Sequence, residues 1–145
     1  MKTSGRACGP STAVLLAASL ASCAVNPATG ERQLSFIGEG REIQMGWEED
    51  PEVVASMGLY LDSTVQRYVN ELGQRLAAAS ERPRLPWTFR VIDDPTVNAF
   101  AVPGGFIYIT RGIMTHLNSE AELVGVIGHE IGKASASRWC RSWRR

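Results

Sequence analysis

The chemistry in this chain is concentrated in Gly128-His129-Glu130-Ile131-Gly132-Lys133. An imidazole can ligate a metal ion, and a carboxylate beside it can take and relay protons. In the HExxH pattern, two histidines at i and i+4 project from one helical face and grip zinc, and the intervening Glu acts as general base. His129 and Glu130 fill the first two places, but Lys133 stands where the second histidine belongs. An ammonium group offers no lone pair near neutral pH, and its charge repels a cation one helical turn away. Catalytic zinc takes three protein ligands and one open position, and this segment supplies His129 alone. His116, thirteen residues earlier, reads as an ordinary surface or core histidine, and nothing in the spacing recommends Cys140 as a ligand. A His-Glu pair in a chain with two histidines and eleven glutamates arises readily by chance, so the pair needs its context.

The elements that must position the pair are legible upstream. Ser119-Glu120-Ala121-Glu122 fits a capping box, with Glu122 placed to return a bond to the cap residue. Leu123, Ile127 and Ile131 then step by four along one face of the helix so begun. Before it, Asn98 to Val102 and Phe106 to Thr110 read as two strands joined by Pro103-Gly104-Gly105, a hairpin. Trp87 to Ile92, rich in aromatic and branched residues, reads as another strand, ended by Asp93-Asp94-Pro95. Leu61, Val65, Tyr68, Leu72 and Leu76 recur at helical spacing and predict a core-facing stripe. A short acid-rich helix is expected within Gly38 to Asp50. Helices flanking a small antiparallel sheet give an α+β class.

The ordered succession Asn98-Ala99-Phe100-Ala101-Val102-Pro103-Gly104-Gly105, Phe106-Ile107-Tyr108-Ile109-Thr110, Asn118-Ser119-Glu120-Ala121-Glu122-Leu123 and Gly-His-Glu-Ile-Gly resembles one family. It is similar to the HtpX/BepA-type zinc metallopeptidases, relatives of the CaaX prenyl proteases in the gluzincin clan, over roughly residues 31–132. The resemblance implies that His129 is a zinc ligand and Glu130 the catalytic residue. It implies that the strand Phe106, Ile107, Tyr108, Ile109 and Thr110 lines the cleft and pairs with the backbone of a protein or peptide substrate. It also places a third ligand, a Glu, on a helix well downstream, which the twelve residues after Lys133 are expected not to supply. Periplasmic lipoprotein members are associated with outer-membrane protein quality control. The expected function is therefore that of a zinc metalloendopeptidase acting on periplasmic or outer-membrane proteins. With Lys133 in the second ligand position, this chain is expected to be inactive and to hold zinc poorly. The alternative of a different class is a non-catalytic, lipid-anchored peptide-binding module.

Composition divides the 145 residues into parts of unlike character, although fifteen basic and fifteen acidic side chains cancel to zero. Residues 1–22 carry Lys2 and Arg6 and no acid, and Thr12 to Ala21 form a short apolar stretch, the layout of an export signal. It runs into Leu20-Ala21-Ser22-Cys23, which resembles a bacterial lipobox. Cys23 is the expected lipidation site and would anchor the chain in outer-membrane lipid on the periplasmic side. Residues 23–37 read as a spacer. Residues 23–132 hold eight Arg against fifteen Asp and Glu, net −7, and an exported acidic body argues against nucleic-acid binding. No run of eighteen apolar residues reads as a spanning helix. Residues 133–145 hold five bases, no acid and two of the four tryptophans. This change is expected to mark out-of-frame sequence after a partial peptidase domain at 38–132. If later helices are needed to cover the His129 helix, Leu123, Ile127 and Ile131 are expected to be poorly buried and the protein marginally stable.

Overall fold

The computed structural model describes residues 38–136 and the backbone of two short strands, β1 (Ala24–Val25) and β2 (Arg32–Gln33), which pair antiparallel. The signal segment, Cys23 and residues 137–145 lie outside the described residues.

Helix α1 spans Glu39–Met57, one and a half times the length that the Gly38 to Asp50 expectation allowed, and it continues through Pro51. Proline removes one helical hydrogen bond and tends to kink the chain. Here tertiary contacts grip both sides of it: Asp50 bonds to Arg90 and Tyr108, and Val53 packs against the cluster of Ile92, Phe106 and Tyr108. Glu39 and Glu42 in the first turn complement the positive end of the helix dipole. The helix closes at Gly58, whose φ of 74° suits glycine and whose N–H bonds to the Val54 carbonyl.

Helix α2, Ser63–Ala78, begins at Asp62, whose carboxylate accepts from the Thr64 and Val65 N–H groups at 2.8 and 3.2 Å. Its core face is rotated from the expected stripe. Val69, Leu72, Gly73 and Ala77 are buried, with Val65 and Leu76 half-buried beside them. Leu61 precedes the helix and is 94% exposed, and Tyr68 sits on the exposed side. Helical spacing alone joins a pre-helical leucine to a rim tyrosine. Gly73 is part of this face for a packing reason, since a Cβ there would lie 2.4 Å from the Phe89 ring.

Strands β3 (Thr88–Ile92), β4 (Ala99–Val102) and β5 (Phe106–Thr110) form a sheet in the order β3-β5-β4. The hairpin is present, with β4 and β5 antiparallel across a 3₁₀ turn at Pro103–Gly105. β5 pairs parallel with β3, so the α+β class holds while the sheet is mixed rather than antiparallel. The cause is order. Three strands alternate in direction, and the third inserts between the first two.

Alternation along the strands divides the core. Ile107, Ile109, Phe89 and Val91 face α2 and the helix α4 (Glu120–Ser135), whereas Phe106, Tyr108 and Ile92 form a second cluster with Val53 of α1. A one-turn helix α3 (Arg111–Met114) links the sheet to α4, capped by the Thr110 hydroxyl. α4 starts at the expected cap: Ser119 Oγ accepts from the Glu122 N–H. The Glu122 carboxylate accepts from the Asn118 N–H at 2.7 Å, one residue before the cap. Leu123, Ile127 and Ile131 are all buried against the sheet and α2, which overturns the expectation that they lacked cover. The helix also runs past Gly132, with Ala134 and Ser135 buried.

Candidate active-site cleft

α4 presents three side chains of interest, the neighbours His129 and Glu130 and, about one turn on, Lys133. His129 is exposed and lines an open cleft of about 570 Å³. One wall is α4 itself, at Gly125, Val126 and His129, and the facing wall is the entry to β4, at Val97, Asn98 and Ala99. Ile113 and Leu117 close its floor with apolar surface. Glu130, which also borders the cleft, is only 4% exposed. Its Oε2 accepts a hydrogen bond from Lys133 Nζ at 2.7 Å.

A carboxylate at this depth needs a partner, because leaving it ionised and unpaired costs several kcal/mol, on the order of what a buried ion loses in hydration. Lys133 is that partner. The i,i+3 spacing with Glu toward the N-terminus is the favourable order for a helical pair. A cation in the last turn also suits the negative end of the helix dipole.

The residues present do not fit a zinc ion. His129 contributes one nitrogen, the position one turn on is an ammonium, and among the described residues no three of His, Cys, Asp and Glu converge on one point. His116 is no substitute: its Nδ1 lies 2.9 Å from the Gly112 carbonyl, and it does not line the cleft. Cys140, like Cys23, falls outside the described residues.

The strand expected to take the substrate lies elsewhere than its role requires. Phe106, Ile107, Tyr108, Ile109 and Thr110 are all buried, and β5 is bonded on one edge to β3 and on the other to β4. It has no free edge for a peptide, because hydrophobicity on both faces marks the centre of the sheet. The two outer edges differ from each other. Along β3, the Gln66 side chain donates to the Val91 carbonyl at 2.6 Å and accepts from the Val91 N–H at 2.9 Å. Gln74 donates to the Trp87 carbonyl at 2.7 Å, and the Tyr60 N–H bonds to Val91 as well. That edge is sealed. Along β4, among the described residues, no strand pairs with the outer edge, and its Asn98–Ala99 end opens onto the cleft beside His129.

A polar cluster that sequence reasoning missed lies on the α1 face. Arg90 Nε and Nη2 each reach an Asp50 carboxylate oxygen at 2.8 Å, and the Tyr108 hydroxyl donates to Asp50 at 2.8 Å. Burial, with the Asp50 carboxylate beside it, pushes the Tyr108 hydroxyl well above the usual tyrosine value of 10.0. Forty and fifty-eight residues separate these partners from Asp50, so no local spacing could reveal them. Arg82 ties α1 to the start of the β3 loop through Glu42, at 2.9 and 3.1 Å, and Glu39, at 3.1 Å.

Comparison with known proteins gives these elements relatives. The profile of Peptidase family M48 matches residues 63–139. Mitochondrial metalloendopeptidase OMA1 of Arabidopsis thaliana is 32% identical over 106 residues, 73% of this chain and 21% of the relative. A putative beta-barrel assembly-enhancing protease of Vibrio cholerae is 37% identical over 81 residues, 56% of this chain and 17% of the relative. The beta-barrel assembly-enhancing protease of Escherichia coli K12 is 28% identical over 116 residues, covering 80% of this chain and 24% of the relative. The chain thus spans about a fifth of the length of these relatives.

Proposed function

The chain belongs to peptidase family M48, and from that membership we propose that it is the cleft-forming part of a metallopeptidase domain that no longer cuts peptides. By descent its substrates are periplasmic or outer-membrane proteins. The beta-barrel assembly-enhancing proteases among its relatives support that class. The lipobox-like Leu20-Ala21-Ser22-Cys23 sides with these bacterial relatives rather than the mitochondrial ones, and it supports a reading in which acylated Cys23 anchors the domain to outer-membrane lipid.

The observation that carries the inactive reading is the 2.7 Å contact between Lys133 and Glu130. In this family zinc polarises the scissile carbonyl and activates water. Here the second ligand position is a cation, and the carboxylate that would act as base is already bonded to it. Purified full-length chain, analysed for zinc and assayed on casein, is expected to contain far less than one zinc per molecule and to leave casein intact. Stoichiometric zinc with hydrolysis would overturn the reading.

A second reading, a non-catalytic peptide-binding module, is favoured by the contrast between the sheet's edges. With β3 sealed and β5 enclosed, an extended peptide would add to β4 and lie over the cleft. Binding of unstructured peptides without zinc, followed by fluorescence anisotropy, tests it.

A further inference from the structure

We infer that Lys133 is a resident cation that has taken over the charge balance of Glu130, so that this domain folds independently of metal. The inference rests on the reading of the chain as zinc-free and extends it to stability. Glu130 is buried to 4% exposure and, among the described residues, receives its one side-chain bond from Lys133. Lys133 remains 44% exposed at its side chain, so its ammonium is partly hydrated while it neutralises the acid beneath it. Its place in the last turn of α4 adds an interaction with the helix dipole that a histidine bound to metal would not supply in the same way.

Two losses are therefore separable at one position. Lys133→Met removes the cation and supplies no ligand, whereas Lys133→His removes the cation and restores the two-histidine spacing with His129. Glu130→Gln removes the charge that the lysine balances.

The test is thermal unfolding of the full chain and three variants, each with EDTA and with excess Zn²⁺. The wild-type midpoint is expected to be the same in both. Lys133→Met should lower it by about 4–8 °C, the shift typical of one lost modest interaction in a domain of this size. Glu130→Gln/Lys133→Met should recover most of that loss, because no buried charge is left unpaired. Lys133→His should be the variant whose midpoint rises on adding Zn²⁺. If Lys133→Met unfolds like wild type, or the double variant is no better than Lys133→Met, the inference fails while the zinc-free reading stands. If Zn²⁺ raises the wild-type midpoint, the zinc-free reading fails too. Should Lys133→Met fail to fold, recovery or loss in the double variant still decides the matter.

Discussion

Asp50 and Glu130 are both buried carboxylates paired with a cation, yet they are held in different ways. Asp50 lies on α1 and accepts three bonds, two from Arg90 of β3 and one from Tyr108 of β5, so it joins three elements far apart in sequence. Glu130 accepts a bond from a lysine three residues on in its own helix, so its pairing joins nothing. The difference separates an acid that ties distant elements together from one that borders a cleft. Converging donors enclose Asp50, whereas Glu130 sits at the border of a cleft with, among the described residues, a single half-exposed side-chain partner.

The largest break in this comparison is Asp50→Ala. It leaves the Arg90 guanidinium and the Tyr108 hydroxyl without their acceptor. Removing one partner of a buried pair costs about 3–5 kcal/mol, and the low end applies here because Arg90 is about a third exposed. Urea denaturation should show that loss directly, with α1 the first element to lose protection in hydrogen exchange.

Tyr108→Phe comes next. It removes one bond to a charged acceptor, a change of about 1.5 kcal/mol. It also has a signature in pH. The raised Tyr108 value means that the folded state holds its proton more tightly than the unfolded chain does. The stability it contributes is thus present below pH 10.0 and lost as the pH rises above it. The variant should lose that part of the alkaline decline.

Lys133→Met is expected to cost less than either, about 1 kcal/mol, since the ammonium is half-exposed and water from the open cleft can reach the Glu130 carboxylate once it is gone, which spares most of the cost of an unpaired buried charge. A cost equal to that of Asp50→Ala would erase the distinction between the two acids.

The smallest effect sharpens it from the other side. Glu49, next to Asp50 on α1, has no ion-pair partner among the described residues, and burial with Glu52 and Glu48 nearby raises its carboxyl above the usual 4.5. A raised acid favours folding while protonated, so its contribution is present below pH 4.5 and is lost as the pH rises through the shifted value. Glu49→Gln should therefore stabilise the protein at neutral pH by about 0.2–0.5 kcal/mol, the scale of a like-charge helical pair, and leave it unchanged in acid.

Local signals were legible in the sequence where the physics is local. The Ser119 cap, the Pro103–Gly105 turn and the bounds of Phe106–Thr110 follow from side chains within a few residues of one another. So does the departure at Lys133. What the sequence hid depends on partners brought together by the fold. The continuation of α1 through Pro51 rests on contacts to β3 and β5. The rotation of the α2 face follows from Phe89 packing onto Gly73, and the parallel β3–β5 pairing from strand order. The site was half legible. His129 and Glu130 stand out in the sequence and both border the cleft, but the assignment of Phe106–Thr110 as the substrate strand came from the family resemblance, whereas the strand's hydrophobicity on both faces marks the centre of the sheet. Nothing local in the sequence marks the edge of β4 that, among the described residues, no strand pairs with; its lower burial at Ala99 and Phe100 shows only in the fold.

The central claim is that α4 carries a cation of its own where its family carries a metal. Zinc titration of the full-length chain by calorimetry, compared with His129→Ala, tests it most directly. No saturable binding is expected in either protein. One saturable site in the wild type that His129→Ala abolishes would contradict it.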